Sequence, residues 1–317
     1  MRLAGSTSVL FALLGCGGSP PPPAAPVGPA TWAELAPRPA ESPPKLDAAK
    51  RYEVALAGPL PEVEALEAAL ARKGLVADVG DEADGRVVES QGVRCSVQPR
   101  PKLGEDILPS PKIEPEYARW GLTMAEAEGL AASIATAEIA CKPSTSPILS
   151  AQVAIQVTDA VATLVKGLVR DPTLRKWFAP AVWEPLRTER HFEVGAHVRV
   201  EITGEGPLRA VRTQGLTSFG RTELAIYPID AAEAEGVAAR LLVLADSVLQ
   251  EDAPAAGAES SLGPAKFIYL SPASYDPHAP VGPKPPSMAD TLVLADPRGR
   301  PGTQGAVDAL VHRLNAQ

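Results

Sequence analysis

Four consecutive prolines, Pro20–Pro23, follow Cys16, Gly17 and Gly18, and proline returns at positions 26, 29, 37, 39, 43 and 44. Proline fixes φ and donates no backbone hydrogen bond, so neither a helix nor a sheet ladder can be built through this stretch. Folding therefore starts at about Asp47 and leaves roughly 270 residues, enough for one large domain or two small ones. The segment before it is biased to extended polyproline II at about 3.1 Å per residue and acts as a spacer several tens of ångströms long. Trp32 and Leu35 are its only bulky anchors of note.

Ahead of the spacer, Arg2 gives a positive start and Leu3 to Leu14 an apolar run. A membrane span needs about 20 apolar residues, so a cleaved targeting segment is expected. The run ends in Leu13-Leu14-Gly15-Cys16, which resembles the lipobox of bacterial lipoproteins. That resemblance implies removal of residues 1–15 and lipid on the Cys16 thiol and its new amino group, with residues 16–46 as the linker. Several acyl chains hold a protein stably where one does not. In the enterobacterial pattern an aspartate after the cysteine retains the protein in the inner membrane. Gly17 stands there instead, which implies the outer membrane, with the domain on its periplasmic or its external side. The alternative is an ordinary secretory signal with a chance cysteine.

The formal net charge is −8 and the basic residues are not clustered. This argues against nucleic acid and against a polybasic membrane contact. Aromatics make up only 4% of the chain, so an aliphatic and alanine core is expected. Besides Cys16 the chain has Cys95 and Cys141, in the runs GVRCSVQP and AEIACKPS. In an oxidising envelope compartment they are a candidate disulfide; the alternative is two buried thiols.

The rest reads as α+β, with mixed or antiparallel sheet and helices packed on one face. RYEVALAG predicts a strand and LPEVEALEAALARKG a helix, opened by proline and acid and closed by Arg72, Lys73 and Gly74. Residues 75–99 predict two or three short strands. Thr123-x-x-Glu126 predicts a capping box, AEIACK a strand, and residues from Pro147 to about Val165 a long helix. Two subdomains are expected, 47–146 and 147–317. In the second, HFEVGAHVRVEI alternates strictly from His191 to Ile202 and predicts a long strand with Val194, Val198 and Val200 inside and His191, Glu193 and His197 wet. A hairpin partner at LRAVRTQG, a third strand at TELAIYPI, a helix after Asp230 and late strands at AKFIYLSP and DTLVLADP follow. A terminal helix is expected near Gly305 to Leu314.

Two stretches, LVKGLVRDPTLRKWF and VRTQGLTSFGRTELAIYPI, resemble segments of bacterial domain families without established activity. In those families a strand ending in Asp-Pro is followed by a Trp, and a Gly-Leu…Phe-Gly…Glu/Asp-Leu turn precedes a strand. The resemblance implies no catalytic role.

Candidates for chemistry are few. His191 and His197 would stand about 20 Å apart on an extended strand, too far to share an ion. His191 with Glu193 offers two ligands where zinc takes three or four. GLTSFG places two residues between Gly215 and Ser218, so it is not the nucleophile elbow, and reads as a turn. GEG at 204–206 lacks a third glycine, and DPRGRPG, with Arg298 and Arg300, reads as a solvated turn. Trp177, Phe178 and Trp183 either pack in the core or form an interaction surface. The expected role is a non-enzymatic binding or interaction module of the cell envelope, partnered by the membrane and an envelope protein, without cofactor or metal. The alternatives are a metal-dependent hydrolase using His191 and Glu193, or a structural subunit of an envelope assembly.

Overall fold

A computed structural model of the chain describes residues 49–142, 146–188, 192–250, 254, 258–262, 265–270 and 291–295. The expected leader, Cys16, the proline-rich segment, His191, Arg298, Arg300 and the expected terminal helix lie outside the described residues.

The architecture is α+β, built on two sheets. β1 (Lys50–Leu56) turns Tyr52, Val54 and Leu56 inward, while Arg51 is exposed. α1 (Val63–Arg72) follows and buries Leu66, Ala69 and Leu70 against it. β2 (Asp78–Glu82), β3 (Gly85–Ser90) and β4 (Val93–Pro101) form a meander. Gln91 (φ 52°) and Gly92 (φ 76°) supply the two left-handed residues of the tight β3–β4 turn. α2 (Glu114–Ala118), α3 (Met124–Ala132) and β5 (Ala135–Cys141) come next. Thr123 and Glu126 close the expected capping box at α3.

α4 (Pro147–Val165) begins at the cap Ser146 and has the anticipated limits. β6 (Val169–Asp171), β7 (Lys176–Phe178) and α5 (Pro180–Thr188) complete the first half. The first sheet runs β2-β3-β4-β5-β1-β6-β7, with every neighbouring pair antiparallel. The sequence-based division at 146/147 does not follow the sheets, because β6 and β7 pair onto β1 and α4 packs over it. α4 is long and apolar enough to cross a membrane, with a mean hydropathy of 1.6 over 18 residues. Its Val153, Val157 and Val161 instead fill the first core, and its Ala151 belongs to the second.

Cys95 and Cys141 face each other across the β4–β5 register with Cα atoms 4.0 Å apart, and they are bonded. Both are fully buried. The pairing of two adjacent antiparallel strands brings residues 46 apart in sequence into bonding range.

The second sheet holds β8 (Arg199–Thr203), β9 (Leu208–Gln214), β10 (Glu223–Asp230), β11 (Glu259–Leu262), β12 (Ala265–Leu270) and β13 (Thr291–Ala295). Its order is β11-β12-β13-β10-β9-β8, mixed because β10 and β13 run parallel. α6 (Ala234–Gln250) covers one face through Val237, Leu241, Leu244 and Val248. The long strand expected from His191 is shorter: Val194–Ala196 form a 3₁₀ turn and extended pairing begins only at Arg199. Three residues make one such turn, so Val194 and His197 share a side and both go inward.

Residues 164–178 and 211–229 converge on the joint between the sheets. Asp171, at the end of β6, is fully buried and accepts hydrogen bonds from Lys50 Nζ (2.7 Å), Thr173 N (2.8 Å) and Leu174 N (3.0 Å). Lys50 lies 5.0 Å from the Tyr52 ring and 5.2 Å from that of Phe219. Between β9 and β10 the 3₁₀ turn Leu216–Phe219 is bracketed by Gly215 (φ 124°) and Gly220 (φ 71°). A Cβ on Gly215 would lie 2.5 Å from the His197 carbonyl oxygen, so only glycine fits there. The buried Glu223 carboxylate accepts from Gly215 N, Thr217 N, Thr217 Oγ1 and Thr213 Oγ1, which pins the turn. Further bonds cross the joint from Arg199 to the Leu174 carbonyl and from Gln214 to the Thr173 carbonyl.

Candidate functional site

A cleft of about 710 Å³ opens where α3, α4 and α5 meet the ends of β1, β6 and β7. This is the size of ordinary small-ligand pockets. α3 presents Ala125 and Gly129 to it and its C-cap Ser133 follows, three small residues spaced four apart. Ala55 and Ala162 line it between the helices, and the Phe178 and Trp183 rings close it within. Its walls are mostly aliphatic and small, so an occupant can approach the backbone closely.

Local chemistry explains how the cleft is framed. α4 ends at Lys166, held left-handed at φ 53°, and Gly167 N bonds back to the Ala162 carbonyl. A Cβ on Gly167 would lie 2.2 Å from the Ala55 carbonyl oxygen, so this crossing over β1 requires glycine. Gly129 differs: nothing lies within 4 Å of the position its Cβ would take, and its φ is not left-handed. Glycine inside a helix costs about 0.5–1 kcal/mol relative to alanine, and the fold supplies no steric reason for it there.

The charged groups of the cleft have structural partners. Asp159, buried in mid-α4, accepts from Trp183 Nε1 at 3.0 Å and pairs with Lys73 beyond α1. Glu126 accepts from the Thr123 backbone at 2.7 Å and its hydroxyl at 2.9 Å. Glu184 and Lys166 complete the ionisable lining.

The structure places the anticipated site residues as follows. Trp177, Phe178 and Trp183 are 2%, 1% and 6% exposed, so they form no exposed aromatic surface. Trp183 meets Tyr52 edge-on at 5.5 Å and Phe178 at 5.4 Å, and burying these large rings is worth more than displaying them. Trp177 alone faces the other way, into a small core with Leu122 and Leu130, and donates Nε1–H to the Ile107 carbonyl. Phe178 and Trp183 reach the cleft only as its inner wall.

His197, expected in water, is 2% exposed, and its Nδ1 shares a 3.1 Å hydrogen bond with the Tyr52 hydroxyl. Burial, with Lys50 and Lys176 nearby, holds it well below the ordinary histidine range, so it is neutral. Burial likewise raises Tyr52, with a contribution from Asp171, and it keeps its proton. Glu193 is exposed, just before the 3₁₀ turn. Among the described residues no three His, Cys, Asp or Glu side chains stand together as a metal-ligand set.

Sequence reasoning missed the cleft. The one local signal was Gly129 in the middle of a capped helix, with alanine and serine four residues to either side. No protein-family model, no curated protein and no solved structure matches this chain.

Proposed function

We propose that this protein is a lipid-anchored envelope module that binds rather than transforms its ligand, with the cleft between α3, α4 and α5 as the binding surface. The observation that carries this reading is the cleft itself. It has the size and aliphatic walls of a ligand pocket, while Asp159 and Glu126 are committed to holding the fold. A carboxylate tied to an ion pair and an indole N–H is poorly placed for proton transfer, since charging and discharging it would break those bonds. The lipobox-like Leu13–Cys16 and the prolines that follow support a tethered domain held away from a membrane.

A neutral apolar fluorophore, N-phenyl-1-naphthylamine, tests the cleft. The wild-type chain is expected to bind it saturably at one site. Gly129→Trp places an indole in the open space, removes a helix-destabilising glycine and is expected to abolish that binding without lowering the melting temperature. Undiminished binding in the folded variant would rule the cleft out.

A further inference from the structure

We propose that the joint between the two sheets is an acid-released latch, closed by the Tyr52–His197 hydrogen bond and opened when that imidazole gains a proton. Four facts of geometry carry it. First, the bond is a direct side-chain link between β1 of the first sheet and the segment leading into β8 of the second, and both partners are buried. Second, His197 is held from its own side by packing: Phe192 stacks on it at 4.7 Å and Phe219 meets it at 6.4 Å.

Third, the charges around it leave an imidazolium no free counter-ion. β1 brings Lys50 and the proton-bearing Tyr52, and β7 brings Lys176. β6 brings Asp171, whose oxygens already hold Lys50 and two backbone N–H groups. β10 brings Glu223, spent on the 215–219 turn. On its own segment Glu193 is exposed, and Arg199 bonds Gln214 and pairs with Glu201. A proton arriving on His197 would add a third cation beside Lys50 and Lys176, so it favours the state in which the ring has left for water. Fourth, each sheet keeps its own core when the link is broken, because Val194 and Val198 belong to the second core and Tyr52 to the first. The latch also lies where the tether enters the domain, since Lys50 opens β1 directly after the linker. Acidity would then alter how the second sheet is held relative to the anchor.

The sign follows from linkage. Histidine is ordinarily half-protonated near pH 6.5 and is depressed in the closed state. The closed joint is fully favoured above that pH and weakens as pH falls below it. With one proton taken up on opening, the open population rises up to about thirtyfold from pH 7.5 to pH 5.0.

Hydrogen exchange on the full chain reads this, corrected for intrinsic rates. Protection of the Ala196, His197 and Val198 amides, which bond back to residues 193 and 194, is expected to fall by that factor. Ile139 in the first sheet and Ile226 in the second should hold theirs. His197→Gln should remove the pH response. Tyr52→Phe, which keeps the imidazole, should loosen the same amides at pH 7.5 and retain the acid response. An equal response in His197→Gln, an unchanged protection at pH 5.0, or an equal loss at Ile139 and Ile226 would each overturn the latch.

Discussion

Asp171→Ala is expected to destabilise the domain by about 3–5 kcal/mol, because it strands the Lys50 ammonium in a site that is 1% exposed. Asp171 also satisfies the amides of Thr173 and Leu174, so the same change leaves one part-buried and one buried donor short. On the general relation between free energy and melting temperature this amounts to a fall of roughly 10 °C. The contrast lies on the solvent face of the same sheet. Arg51 pairs with Glu138 at 3.1 Å, but its side chain is 44% exposed, and Arg51→Ala is expected to cost less than about 1 kcal/mol. Replacing both partners, as Lys50→Met with Asp171→Leu, should recover part of the loss, since no lone charge remains. Urea unfolding of the three variants checks this. An Asp171→Ala cost no larger than that of Arg51→Ala would show that the buried pair does not hold the joint.

Loss of the Cys95–Cys141 bond is expected to have an effect of similar size. Chain-entropy reasoning for a loop of 46 residues gives about 4 kcal/mol. The two residues are fully buried between neighbouring strands, so Cys95→Ala with Cys141→Ala removes packed sulfur as well as the crosslink. The unfolding midpoint of the double variant, compared with the oxidised wild type, should fall by roughly 10 °C. The wild type should carry no thiol that alkylates at Cys95 or Cys141 after unfolding without reductant. Two alkylated thiols, or a midpoint unchanged in the double variant, would contradict the bonded pair.

Local rules were legible wherever they were sufficient. Thr123 and Glu126 announce their helix because a capping box satisfies donors within three residues. Pro147 and the apolar run behind it fix α4 for the same reason. The cysteine runs read as strands that turned out to be neighbours. Where the reading failed, a distant partner decided the outcome. His197 alternates like a wet residue, yet Tyr52, 145 positions away, offers its hydroxyl inside. Asp171 ends a short strand, and the charge buried with it lies 121 positions earlier, where no local pattern points. The boundary at 146 followed the chain, whereas β6 and β7 followed the hydrogen-bonding edge of β1. The cleft takes its walls from three helices and the ends of three strands, and no periodicity within one segment encodes such a meeting.

The proposed lipid tether is tested by the mass of the mature N-terminus. Protein extracted from bacterial membranes and digested should yield a first peptide beginning at Cys16, heavier by a diacylglyceryl group on sulfur and an acyl chain on nitrogen. A Cys16→Ser chain should yield no such peptide and should leave the membrane fraction. A mature chain that begins elsewhere, with Cys16 absent or carrying a free thiol, would contradict the tether and leave the cleft to be explained in a freely diffusing protein.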